Sequence, residues 1–163
     1  MTLTTHAIFG AAAASFFPQS PALAFVAGFF SHFAIDAIPH WDYAILSGKK
    51  DPANPLNDDM VIGKYFILDL MRIGFDALLG VVASLLLFGG GTYQSLIILF
   101  IGAIAGILPD PLQFVYWKFR HEPLISLQRF HVWIHAKGKI EKAYFGIPIQ
   151  VTLVVGAYWL TAL

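Results

Sequence analysis

Met60-Val-Ile-Gly-Lys64-Tyr-Phe-Ile-Leu-Asp69-Leu-Met-Arg72-Ile-Gly-Phe-Asp76-Ala-Leu-Leu-Gly-Val-Val-Ala-Ser-Leu-Leu-Leu-Phe88 is the stretch that decides the fold. It is nearly continuous in apolar residues and stops at Gly89-Gly90-Gly91. A helix crossing a bilayer core needs about 20 such residues. A transmembrane β-barrel would need segments of about ten residues with alternating polarity, which this run lacks. The run therefore reads as a membrane helix. Four further apolar segments flank it. They run from Leu3 to Phe17, from Ala22 to Ile38, from Tyr93 to Leu108 and from Ala143 to Leu163. Pro18, Pro39 and Pro109 end the first, second and fourth. Only the third and fifth reach full spanning length; the others are short enough to be tilted or to reach part of the bilayer.

The composition of the 163 residues agrees. The chain is 58% hydrophobic and only 12% charged, with mean hydropathy +0.70. Soluble domains carry about 25% charged residues, and disordered chains are poor in apolar ones. The expectation is a single all-α domain over residues 1–163, a polytopic bundle of about five helices with an amphipathic loop segment at one face. Met1-Thr-Leu-Thr-Thr-His6 lacks the basic start of a secretory signal, so the whole chain is read as mature. Small residues recur four apart at Gly10 and Ala14, Ala24 and Gly28, and Gly102 and Gly106. Such spacing lets membrane helices approach closely.

Ten basic and ten acidic residues cancel, so no global field points to nucleic acid, and no nucleic-acid binding is expected. Their placement is uneven. Lys49 and Lys50 lie between segments two and three. Lys118, Arg120, Arg129, Lys137, Lys139 and Lys142 lie between segments four and five. With five spans, both basic loops and the N-terminus share one side, which the positive-inside rule makes cytoplasmic. The Lys49-Lys50-Asp51 and Asn57-Asp58-Asp59 runs read as a solvated loop.

All six histidines then fall at that face. His32 and Asp36 are four apart, as are His131 and His135, so each pair shares a helix face. Neutral imidazole and carboxylate at this spacing can bind one divalent metal. His6, His40 and Asp110 are the next candidates, the last two beside prolines that end helices. Zero cysteine excludes disulfides and thiolate ligands, and a His and Asp donor set suits Zn²⁺ or another divalent transition ion. Asp69, Arg72 and Asp76 share one face of the third segment. Charges there are costly and face a bundle interior. An Asp69–Arg72 ion pair is expected. Asp76, about 10 Å further along, is left open between a protonated acid, a ligand and a carboxylate that orients a histidine.

Gly28-Phe-Phe-Ser-His32-Phe-Ala-Ile-Asp36-Ala-Ile-Pro39-His40 resembles the helical His-x-x-x-Asp motif, followed by Pro and His, of the zinc-dependent phospholipase C and nuclease superfamily. The whole chain looks more like the small bacterial inner-membrane proteins known as membrane-bound metal-dependent hydrolases. Their pattern is an N-terminal His, a Pro-Asp-x-Asp-His motif, two histidines four apart and a Gly-x-x-Ser-His-x-x-x-Asp helix. Here His6, Pro109-Asp110, His131 with His135, and Ser31-His32 with Asp36 match those elements, in a different order. The acidic motif reads Pro109-Asp110-Pro111-Leu112-Gln113, without its second Asp and its His; His40 and Asp42 are the residues at hand to replace them.

The resemblance implies a multi-pass protein of the bacterial inner membrane that hydrolyses a phosphoester with divalent metal, zinc by expectation. Water activated at the metal would attack the phosphorus, with Asp42, Asp69 or Asp76 as base or supporting carboxylate. Arg72 and Arg129 are the expected contacts to substrate phosphate. The partners expected are membrane lipid, a phospholipid or nucleotide substrate, and a second copy in a homo-oligomer. Two rival readings are an ion- or proton-coupled transporter using Asp76 and Arg72, and a non-catalytic membrane component with a structural metal.

Overall fold

A computed structural model describes residues 1–136, 138 and 140–161. Lys137 and Lys139 of the basic loop, and the last two residues of the fifth segment, lie outside the described residues.

Each helix boundary has a local cause. Helix α1 (Leu3–Ser15) starts at Thr2, whose hydroxyl accepts from the Thr5 N–H. Ser20 caps α2 (Pro21–Asp36) in the same way, and Pro21 occupies the first turn, where its missing N–H costs nothing. Thr92 caps α4 (Tyr93–Ile107) after the triple-glycine turn. The third segment becomes helical only at Phe66, and α3 runs from Phe66 to Phe88. Its expected first residues instead form β2 (Asp59–Met60), which pairs antiparallel with β1 (Gly48–Lys49), and a turn closed by the Phe66 N–H on the Gly63 carbonyl.

The expected amphipathic loop is two helices, α5 (Pro109–Lys118) and α6 (Leu124–Ile134), so with α7 (Ala143–Thr161) there are seven helices among the described residues rather than about five. Helices α4 and α5 are continuous in sequence but bent by 40°. Pro109 explains the bend, because its ring cannot donate to the preceding turn and crowds the carbonyl four residues back. The all-α class holds. Two helices, α3 and α7, are long and apolar enough to cross a membrane, or three spans if the bent α4–α5 pair counts as one.

Helix α1 is the hub, packed by α2, α3 and α4. Leu3, Ala7, Ala11, Leu99, Ala103 and Ile107 form the main buried cluster. The small-residue pairs lie where α1, α2 and α4 touch, with Ala14 and Ala24 in a second buried cluster around Ile98. A Cβ on Gly10 or Gly28 would strike the Gly102 carbonyl, and one on Gly106 would strike the His6 carbonyl. By contrast, α3 presents Leu68, Met71, Phe75, Leu78, Val82 and Leu86 on its outer side, all exposed. Contiguous apolar surface of this kind marks a lipid or protein contact rather than a surface facing water.

The acids of α3 hold other segments in place. Asp76 accepts from the Leu3 N–H (2.7 Å), the Thr4 N–H (3.2 Å), the Thr4 hydroxyl (2.6 Å) and the Tyr43 hydroxyl (3.2 Å). It therefore neutralises the unpaired amides and positive dipole end of α1. Asp69, buried, accepts from the N–H and hydroxyl of Ser47 at 2.6 and 2.7 Å. The expected Asp69–Arg72 ion pair is not formed: Arg72 is exposed and donates to the Ala44 carbonyl at 3.1 Å. The two residues share a helix face, but the 43–47 segment lies there and provides each with a nearer partner.

Asp76→Ala strands two amides and two hydroxyls and is expected to cost about 2–3 kcal/mol of stability. Asp76→Asn, which keeps one acceptor oxygen, should cost less. Thermal unfolding of the detergent-solubilised variants checks the order.

Candidate metal centre

Four parts of the chain converge at one end of α1. His6 comes from the second turn of α1, and His32 and Asp36 from the last turns of α2. His40 and Asp42 follow α2 past Pro39. Asp110 opens α5, His131 lies in the last turn of α6, and His135 ends it. Two main-chain bonds hold the exits of α2 and α6 together: the Ala136 N–H donates to the Asp36 carbonyl at 2.8 Å, and the Ile140 N–H to the His40 carbonyl at 3.1 Å. His6, His32, Asp36, His40 and His131 are all buried.

Asp36 is the centre of the cluster. Its Oδ2 lies 3.2 Å from His32 Nε2 and 3.1 Å from His131 Nε2. Its Oδ1 lies 3.2 Å from His6 Nε2 and 3.8 Å from His40 Nε2. His32 Nε2 is also 3.3 Å from His131 Nε2 and 3.7 Å from Asp110 Oδ1. Bonds of about 2.0–2.2 Å to a tetrahedral ion imply ligand–ligand edges of about 3.3–3.6 Å, and the observed separations bracket that range. Three groups have donor atoms mutually close enough to hold an ion: His6, His32 and Asp36; His32, Asp110 and His131; and Asp36, His40 and His135. His32 and Asp36 each belong to two of them.

The hydrogen bonds around the rings aim them. The Gly106 carbonyl lies 2.9 Å from His32 Nδ1 and accepts a hydrogen bond from its N–H, which leaves the Nε2 lone pair facing the cluster. The Ile38 carbonyl does the same for His40 at 2.7 Å, and the Ala136 carbonyl for His135 at 3.3 Å. Carbonyl partners of this kind fix the tautomer of metal-binding histidines. His6 stacks on His32 with ring centres 3.9 Å apart; neither of its buried ring nitrogens makes an aligned hydrogen bond, although Nε2 lies 3.2 Å from Asp36 Oδ1. An orphaned buried imidazole is costly unless something absent from the protein atoms satisfies it. The donor set and this orphan both fit a divalent ion.

Asp42 and Asp110 form the open edge, with side chains 36% and 34% exposed against 5% or less for His6, His32, Asp36, His40 and His131. Asp42 Oδ2 lies 3.4 Å from His40 Nε2, and its Oδ1 lies 2.9 Å from the Met1 amino group. Burial pushes the Asp42 carboxyl up, but His40 and the ammonium outweigh it and hold it well below the usual carboxylate range. Burial lowers the His135 imidazole below its ordinary value, which keeps it neutral and able to ligate.

All seven expected ligands thus come together. Asp69 and Asp76 do not join them: Asp69 Oδ2 accepts from Ser47 while its buried Oδ1 has no hydrogen-bond partner among the described residues, and Asp76 caps the α1 N-terminus. Arg72 bonds Ala44, and Arg129 is exposed with no polar partner among the described residues. Sequence reasoning missed Gln150. Buried in α7, it accepts from the hydroxyls of Thr2 and Thr5, both at 2.9 Å, and donates to the Trp41 carbonyl at 2.8 Å, tying α7 to the base of the site. A lone amide in an apolar helix was the available signal.

No protein-family model, no curated protein and no solved structure matches the chain.

Proposed function

We propose that the chain is a membrane-embedded, metal-dependent phosphoester hydrolase whose centre holds two divalent ions, zinc by preference, sharing Asp36. The observation that carries this reading is the overlap of the candidate ion-binding groups on Asp36 and His32. One carboxylate oxygen of Asp36 faces His32 and His131, and the other faces His6 and His40. We take α3, α7 and the α4–α5 pair as spans, with the basic segments and the cluster on the cytoplasmic side.

Bound ions of this kind polarise a phosphoryl oxygen and make water nucleophilic near neutral pH. The protein's part is to aim the imidazoles through Gly106, Ile38 and Ala136. Burial by α1, α2 and α6 excludes water from all sides but one. Asp42, ionised and partly exposed at the open edge, would orient an attacking water beside His40. The substrate reaches this edge from the cytoplasmic interface, as a lipid or a nucleotide.

A proton relay through Asp76 and Arg72 fits less well. Asp76 is committed to four donors, and Arg72 points to a main-chain carbonyl at the surface.

The test is metal analysis of protein purified without chelator, followed by hydrolysis of a chromogenic phosphodiester. Two zinc ions per chain and turnover lost on chelation and restored by zinc are the expected results. Absence of stoichiometric metal after zinc reconstitution would overturn the metal centre. Stoichiometric zinc without turnover on lipid or nucleotide esters, with melting on chelation, would replace the enzyme by a structural metal clamp.

A further inference from the structure

Outside the metal centre, the 46–65 segment folds into a short hairpin whose open side forms a cleft of about 300 Å³ against the start of α3. Lys49 and Lys64 line it, together with Leu46, Val61, Gly63 and Tyr65. We propose that this cleft binds the phosphate-bearing headgroup of an anionic phospholipid. The proposal rests on the reading of α3 as a membrane span, which places the cleft at headgroup depth.

Three observations support it. First, both ammonium groups are unpaired: among the described residues neither lysine has a carboxylate within ion-pair distance. Asp59, which faces Lys49 across the hairpin, is taken by Lys118 at 2.6 Å. Second, the cleft has the mixed character of an amphiphile's headgroup region. Leu46, Val61, Ile62 and Tyr65 are exposed beside the two charges, and apolar groups next to lysine have no partner in water that suits both. Third, the polar groups of Ser47 are occupied. The N–H and hydroxyl of Ser47 both go to Asp69, and the Lys64 ammonium lies 5.5 Å from the Tyr65 ring centre, at the lip. Basic pockets beside membrane helices on the cytoplasmic side suit anionic headgroups, with each lysine contributing about 1 kcal/mol of attraction.

The experiment reconstitutes the full chain into nanodiscs of phosphatidylcholine doped with phosphatidylglycerol and reads retained lipid by native mass spectrometry. Wild type is expected to retain phosphatidylglycerol over phosphatidylcholine. The K49Q/K64Q variant is expected to retain roughly thirtyfold less, each single variant to fall between, and K50Q to match wild type. All three lysines are exposed, and unchanged metal content and melting temperature verify that the variants fold. Equal retention by K49Q/K64Q and wild type would overturn the proposal, as would equal retention of the neutral lipid. Displacement of phosphatidylglycerol by excess inorganic phosphate would show a free-anion site and overturn the lipid assignment. Carbonate washing of membranes separates the two readings. A chain that stays in the membrane but shows no lysine-dependent retention refutes the cleft alone, whereas a chain released by carbonate refutes the span.

Discussion

Asp36→Asn is expected to empty the metal centre. Asp36 is the one residue with an oxygen toward each half of the cluster, so its loss would affect both ions of the proposed pair rather than one. Replacing a group that merely orients a ligand costs 10–100-fold in metal affinity; a shared ligand should exceed the upper end, about 100-fold or more. Bound zinc, measured by elemental analysis after gel filtration, should fall to background while the chain still elutes as folded protein. His121→Ala changes a histidine that lies exposed outside the cluster and should keep full metal. If Asp36→Asn binds zinc as wild type does, the shared-carboxylate geometry is wrong. A cluster held only by protons predicts another pattern, in which chelators leave the melting temperature of wild type unchanged.

Gly102→Val is expected to separate the helices that carry the ligands. A Cβ at this position would meet the Ala14 side chain and the Gly10 carbonyl, while the Gly102 carbonyl already touches the faces of Gly10 and Gly28. No rotamer relieves that, because the obstacles on α1 are the Gly10 main chain and the Ala14 Cβ, which has no rotamer to change. Overpacking a tight core costs about 1–3 kcal/mol, occasionally more, and main-chain obstruction places this case at the top of the range, about 3 kcal/mol. Metal should be lost along with stability, since α1 supplies His6 and the neighbouring Gly106 carbonyl of α4 aims His32. The readouts are the folded fraction on gel filtration and zinc content. Gly74→Ala, on α3 with open space for 4 Å around the place its Cβ would take, should be neutral on both.

The helical class and the site were legible in the sequence to different depths. Continuous apolar runs marked α1 to α4 and α7 because lipid and a buried core impose the same composition. The i, i+4 spacing of His32 with Asp36 survived folding because both lie within α2, whereas His135 falls just past the end of α6 and groups with Asp36 and His40 rather than with His131. The start of α3 was not legible: Met60 to Tyr65 reads as a continuation of the apolar run, and only the hairpin partner at Gly48 and Lys49 makes it a strand and turn. The roles of Asp69 and Asp76 were hidden for the same reason. Their carboxylates are claimed by Ser47 and by Leu3 and Thr4, residues distant in sequence whose polar groups are unremarkable on their own. Arg72 was read as the partner of Asp69 from helical geometry, and the intervening 43–47 segment, invisible to any periodicity, divided them.

The ligands span nearly the whole chain, from His6 in α1 to His135 after α6. An ion bound there is therefore a covalent-like staple in a protein that has no cysteine to make one. Closing a loop of about 100 residues removes roughly 4–5 kcal/mol of unfolded-state entropy in the simplest polymer treatment of a cross-link. The same centre that is proposed to turn over a phosphoester would then set how long the chain resists pulling apart, and metal supply would regulate lifetime as well as rate.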